Sequence, residues 1–151
     1  MKTKQEKYMR IALKEALKAS KIDEVPVGCV IVLNDKIIAK AYNKKEINND
    51  PCGHAEILAI KKASKKLNNW RLENCEMYVT IEPCIMCSGA IIQSRISKVY
   101  YGAPDNKGGG FGTSINVLEA KNINHRPLIY GGALEDECSE IISNYFKSKR
   151  K

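Results

Sequence analysis

The 151-residue chain has no apolar run approaching the roughly 20 residues that a membrane-spanning helix needs. Its opening stretch, MKTKQEKYMRIALKEAL, alternates charged and apolar side chains and contains no signal-peptide core, so a cytoplasmic protein is expected. There is no internal repeat, low-complexity linker or compositional break, which makes one domain over residues 1–151 the expected organisation. Histidine is scarce: His54 and His125 are the only two imidazoles. No export signal is expected either, and this bears on the six cysteines. In a small secreted chain an even count suggests disulfides, but cytoplasmic thiols stay reduced. Disulfides are therefore the weakest explanation of them.

Basic charge is abundant. The formal net charge is +8, a balance that suits a polyanion such as nucleic acid, although lysine-rich solvated surfaces share it. The distribution is more informative than the total. Lys147, Lys149, Arg150 and Lys151 close the chain, and Lys61, Lys62, Lys65, Lys66 and Arg71 crowd one segment.

Met9, Ala12, Leu13, Ala16 and Leu17 recur at helical spacing, so Lys4 to Ser20 reads as an amphipathic helix. VGCVIVL, Asn34-Asp35 and KIIAKAY follow as a hairpin. AEILAIKKASKK reads as a helix opening near His54, CEMYVTI as a buried strand and CIMCSGAIIQSR as a helix with Pro83 at its start. KVYYGA is a fourth strand, DNKGGGFGTS a loop and PLIYGG a fifth strand. A last helix begins near Leu134, with Cys138, Ile141, Ile142 and Tyr145 on one face. Strands alternating with helices after the first hairpin predict an α/β protein: a mixed sheet between helical layers, α/β/α.

Two short motifs carry chemistry. Cys84 and Cys87, in EPCIMC, let one helical turn offer two sulfurs to one zinc ion. A helix N-terminus favours the thiolate form that such ligation needs. His54 is the better candidate for a third ligand, because Glu56 stands two residues on. Three protein ligands leave one zinc position for water, whose pKa zinc lowers to about 7, and an unbound carboxylate alongside can move its proton. Two other readings stay open. A redox dithiol would leave His54 and Glu56 unexplained. A closed structural site would recruit Cys52, although CGH makes a poor knuckle. Cys29, Cys75 and Cys138 lie in apolar surroundings and read as buried small hydrophobes. His125, in NINHRP, orders a loop or meets substrate. Glu82 reads as strand-end context.

His-Ala-Glu followed by Pro-Cys-x-x-Cys resembles the zinc-dependent cytidine and nucleobase deaminase superfamily. EVPVGCVIV, AYNKKE, DPCGHAEILAI, NNWRL, YVTIEPCIMCSGAII, SRISKVYYGAPDNKGG, INHRPLIYGG and DECSEIISNYF resemble segments of bacterial tRNA adenosine deaminases across Gln5 to Arg150. The resemblance implies a cytidine deaminase-like fold with a central five-stranded mixed sheet, one zinc ion per subunit and a homodimer. It implies hydrolytic conversion of adenosine to inosine at the wobble position, with the tRNA anticodon arm as partner. On the matching positions His54, Cys84 and Cys87 are the zinc ligands and Glu56 the proton shuttle. Asn43 and the Ala55 backbone meet the flipped base, and Asp105 and Lys107 meet anticodon nucleotides. Arg71, His125, Arg126, Tyr145 and Phe146 match positions near the RNA. GGGFGTS departs from the family's smaller loop pattern, and Cys52 stands where a non-ligand is usual. The rival functions are a free nucleobase or nucleoside deaminase, for guanine or cytosine, and a structural-zinc RNA-binding module without catalysis.

Overall fold

The structure is a computed structural model and describes residues 3–149. Arg150 and Lys151 of the basic C-terminus lie outside the described residues. The first helix, α1 (Lys4–Lys21), is opened by Thr3, whose hydroxyl accepts the Glu6 backbone N–H at 3.1 Å. This satisfies one of the donors that a helix start leaves free. Met9, Ala12, Ala16 and Ala19 are fully buried on its inner face.

Strands β1 (Gly28–Leu33) and β2 (Lys36–Tyr42) form the expected hairpin. Asn34 and Asp35 both adopt positive φ, 51° and 62°, the turn whose twist matches that of paired strands. Next come α2 (Ala55–Leu67), β3 (Glu76–Ile81), α3 (Ile85–Gln93) and β4 (Lys98–Ala103). A 3-10 turn (Val117–Glu119), β5 (Leu128–Gly131) and α4 (Glu135–Lys149) complete the order. The 3-10 turn is three residues long and carries no hydrophobic period to announce it in the sequence. Among the described residues no helix is long and apolar enough to cross a membrane.

The strands form one five-stranded mixed sheet in the order β2-β1-β3-β4-β5. β1 is antiparallel to β2 and β3, whereas β3, β4 and β5 run parallel. Alternate residues feed two cores, as the pleat requires. Cys29, Ile31, Met77, Val79 and Val99 face α2 and α3. Val30, Val32, Tyr78 and Tyr100 face α1 and α4. The result is the three-layer α/β/α arrangement.

This topology decides where a site can form. β3 and β4 are parallel, so their C-terminal ends, Ile81 and Ala103, lie side by side in register. The antiparallel partner β1 brings its own start to that edge, with Cys29 opposite Val79, and the β2 end returns there because Tyr42 pairs with Gly28. Four chain segments therefore leave the sheet at one end, where open α/β sheets commonly place their ligands.

Candidate metal centre and active site

At this end two helices start. His54 is the N-cap of α2 and Cys84 the N-cap of α3, both with extended backbone, and neither side chain caps its own helix. An N-cap side chain usually spends its polar atom on the first helical turn. Here both are left free and meet each other. His54 Nδ1 lies 3.5 Å from Cys84 Sγ and 3.5 Å from Cys87 Sγ, and the three ligand atoms lie within 4.8 Å of one another. A tetrahedral zinc with ordinary Zn–S and Zn–N bonds separates sulfur from nitrogen by about 3.6 Å, so the trio fits that ion without rearrangement. Cys52 is exposed and is not part of the group. The closed Cys3His arrangement therefore finds no support in the geometry.

The protons of this centre are shared unevenly. Cys84 is drawn down to about 4, chiefly because the Cys87 thiol donates a hydrogen bond to it; burial opposes this and His54 assists. Cys87 is pushed up, first by giving that hydrogen bond and then by burial. His54 is raised, first through its bond with Cys84. The dithiol thus holds one proton between two sulfurs, a proton that a bound dication would displace. The first turns of α2 and α3 both point their positive ends at this cluster, which favours the thiolates further.

Glu56 is on the first turn of α2 and is only 3% exposed. Burial raises its carboxyl to about 7, partly opposed by a hydrogen bond from its own backbone N–H and reinforced by the negative charge of Cys84. A buried carboxyl poised near neutrality can both take and give a proton. A dication alongside would draw its pKa down from that value.

The other candidates separate into two groups. Asn43, 7% exposed, follows β2 at the same sheet end; its side chain donates to the Val25 carbonyl at 3.2 Å and accepts the Lys45 N–H at 3.1 Å. These bonds fix the amide while leaving one N–H and one lone pair. Ala55 is fully buried as the first residue of α2. Asp105 and Lys107 follow β4, and Asp105 Oδ1 accepts the Lys107 and Gly108 N–H groups at 3.0 and 3.2 Å. Tyr145 and Phe146 form an edge-to-face pair at 5.3 Å, and the Tyr145 hydroxyl donates to the carbonyl of Asp23, in the segment between α1 and β1, at 3.2 Å. All of these belong to the site end.

Arg71 and His125 do not. Arg71 follows the C-terminal end of α2, a helix roughly 20 Å long at 1.5 Å per residue, and its guanidinium lies over the exposed Trp70 ring at 5.1 Å. His125 Nε2 donates to the Ile96 carbonyl at 2.6 Å, before β4 and at the opposite end of the sheet. Arg126 spends two donors on the Leu118 and Ala120 carbonyls, at 3.1 and 3.2 Å, and so clamps the 3-10 turn. Cys29, Cys75 and Cys138 are buried, with burial raising all three thiols. Sequence reasoning read Glu82 only as strand-end context and gave Glu24 no role, yet both acids are buried, each 1% exposed. Their only sequence signal is an acid at the edge of an apolar strand, next to a turn.

Residues 3–150 match the family model for MafB19-like deaminases. A curated tRNA-specific adenosine deaminase from Bacillus subtilis (strain 168) is 47% identical over 149 residues, covering 99% of this chain and 92% of the relative. The chain belongs to the tRNA-specific adenosine deaminases of this deaminase family. The deaminase also superposes, with a TM-score of 0.86 and 42% identity, on a solved structure from a study of A-to-I editing by tRNA:A34 deaminases at the wobble position of transfer RNA. That match covers 88% of this chain and 96% of the other. A guanine deaminase structure from Bacillus subtilis is more distant, with a TM-score of 0.63 and 30% identity over 77% of this deaminase and 85% of that chain. The five-stranded mixed sheet with helices on both faces is thus the cytidine deaminase-like fold of the tRNA deaminase neighbour. That fold serves more than one base, and the base must be argued from the closer relatives.

Proposed function

We propose that this protein, a single deaminase domain, hydrolyses the 6-amino group of the wobble adenosine in a tRNA anticodon, leaving inosine and releasing ammonia. The observation that carries the reading is a buried Glu56 beside the His54–Cys84–Cys87 trio, in a chain 47% identical to a tRNA-specific adenosine deaminase. The donor set of one imidazole and two thiols suits zinc, held by His54, Cys84 and Cys87. When bound, zinc would supply Lewis-acid activation of water.

The protein residues do the rest. Glu56 takes a proton from the attacking water, passes it to N1 of the purine and returns a proton to the departing amine. Burial suits it to both directions of transfer. Asn43 keeps an N–H and a lone pair for the purine edge, and the Ala55 backbone lies against the base. Asp105 and Lys107 meet flanking nucleotides from the loop after β4, and Tyr145 and Phe146 approach from α4. An anticodon loop suits such a site, because its bases are splayed out at a low unstacking cost. The exposed Lys61, Lys62, Lys65 and Lys66 face of α2 attracts phosphates along the stem. Arg71, His125 and Arg126 reach RNA only through contacts remote from the reacting base or across a homodimer, the assembly we infer from the family resemblance.

The test offers zinc-loaded protein a wobble-adenosine tRNA, free guanine and free cytosine in parallel. Inosine in the tRNA with no turnover of either base supports the proposal. Turnover of a free base without RNA, or no inosine from folded, metal-loaded protein, overturns it.

A further inference from the structure

Glu24 and Glu82 take no part in the chemistry above, yet both carboxylates are buried, and among the described residues neither pairs with a lysine, arginine or histidine. A buried carboxylate without compensation is costly. Backbone N–H groups provide the compensation here. Glu24 accepts Glu46 and Ile47 at 3.1 and 2.6 Å, in the loop that leads to His54. Glu82 accepts Asp105 at 3.2 Å on Oε1, and Phe111 and Thr113 at 3.0 and 3.2 Å on Oε2.

We propose that Glu82 is a positioning residue, whose carboxylate holds the 105–113 segment in the one shape that presents Asp105 and Lys107 to the RNA. Three bonds from one side chain gather both ends of a segment containing Gly108, Gly109, Gly110 and Gly112, a composition with little conformational preference of its own. An independent observation supports the same contact. A Cβ on Gly109 would stand 2.5 Å from Glu82 Cδ and 2.6 Å from each carboxylate oxygen, so the loop backbone lies directly on the acid. The next residue continues the contact onto the metal-ligand turn. The Gly110 N–H donates to the Pro83 carbonyl at 2.8 Å, and a Cβ there would come within 3.0 Å of the Cys84 carbonyl. Gly109 also forms an isolated β-bridge with Cys84 itself. Glu82 therefore ties the nucleotide-facing loop to the same turn that carries Cys84, two residues away.

The functional part of this inference rests on the proposed tRNA reading; the geometric part does not. The test compares wild type with Glu82→Gln, which keeps the size of the side chain but turns one acceptor into a donor facing the loop amides. Gly109→Ala, which pushes on the same contact from the other side, is the second variant. Each is scored for zinc content, for amide hydrogen exchange at residues 105, 111 and 113, and for KM and kcat on wobble-adenosine tRNA. Losing one buried acceptor should speed exchange at these amides about tenfold and raise KM about tenfold, with kcat changed less and zinc stoichiometry unchanged. Should E82Q fail to fold, G109A decides alone. Wild-type exchange and wild-type KM in a folded variant would overturn the proposal, and so would loss of zinc, which would make Glu82 a support of the metal turn. If wild type itself forms no inosine, the tRNA reading fails, while the exchange data still decide the role of Glu82.

Discussion

Both faces of the sheet take a helix on buried alanines, Ala12, Ala16 and Ala19 under α1 and Ala55, Ala59 and Ala63 under α2, but they differ in their aromatic side chains. Toward α1 and α4, four tyrosines form a row across the strands: Tyr8 against Tyr78 at 5.1 Å, Tyr78 stacked on Tyr100 at 4.7 Å, and Tyr100 on Tyr130 at 5.0 Å. Toward α2 and α3, the buried layer includes Ala39, Ala41, Ala55, Ala59 and Ala63. Large rings fill space and supply burial, whereas small side chains let a helix lie close to the sheet. On this face the N-caps of α2 and α3 converge within metal-ligand distance. The tyrosine row belongs to one face and the metal-ligand N-caps to the other.

If this division holds, the largest functional effect comes from the metal-ligand face and leaves stability nearly untouched. Glu56→Ala should lower kcat by at least about a hundredfold, the scale of a lost proton-transfer group, with zinc content and melting temperature close to wild type. The largest structural effect comes from the other face. Tyr78→Ala, at a fully buried position, should cost about 3–5 kcal/mol in urea unfolding while the folded fraction still binds one zinc. Ala59→Leu tests the closeness directly. Overpacking there should cost about 1–3 kcal/mol and loosen zinc retention against a chelator, because α2 must move away from the sheet.

Much of the fold and of the metal centre was legible in the amino-acid sequence. The hairpin at Asn34-Asp35, the strand at Lys98–Ala103 and the start of the last helix near Leu134 agree with the structure to within a residue. Zinc chemistry demands particular residue types at particular spacings, so His54, Glu56, Cys84 and Cys87 stood out before any coordinates. Glu24 and Glu82 did not, because their partners are backbone N–H groups that no residue type announces. Nothing in the residues around Arg71 and His125 says how far from the metal trio they lie; the length of α2 and the direction of β4 set that distance. The Gly-rich loop takes its shape from Glu82, a contact between residues far apart in the chain, and no local pattern encodes that.

Two smaller effects sharpen the comparison at its margins. Replacing Lys61, Lys62, Lys65 and Lys66 together by Gln should raise KM for tRNA at low salt. It should also flatten the dependence of log KM on log salt by up to about 0.9 for each lysine that meets a phosphate, with no change in stability. The smallest effect is expected at Asp23. The hydrogen bond from Lys149 holds its carboxyl below the usual range, with the charge of Lys149 and the Tyr145 hydroxyl assisting against slight desolvation. A depressed folded pKa stabilises the protein above the unfolded carboxylate value, and that contribution is lost as pH falls through the folded one. Asp23→Asn should therefore differ slightly from wild type in melting temperature at neutral pH and match it in acid.

The most direct test of the account is a single-turnover assay with wild type and Glu56→Ala, each with its zinc content measured, on a wobble-adenosine tRNA digested and read by mass spectrometry. The account predicts inosine at the wobble position with wild type and none above background with a zinc-replete Glu56→Ala. Comparable inosine from both proteins would remove Glu56 from the reaction, and an unconverted adenosine with zinc-loaded wild type would contradict the account as a whole.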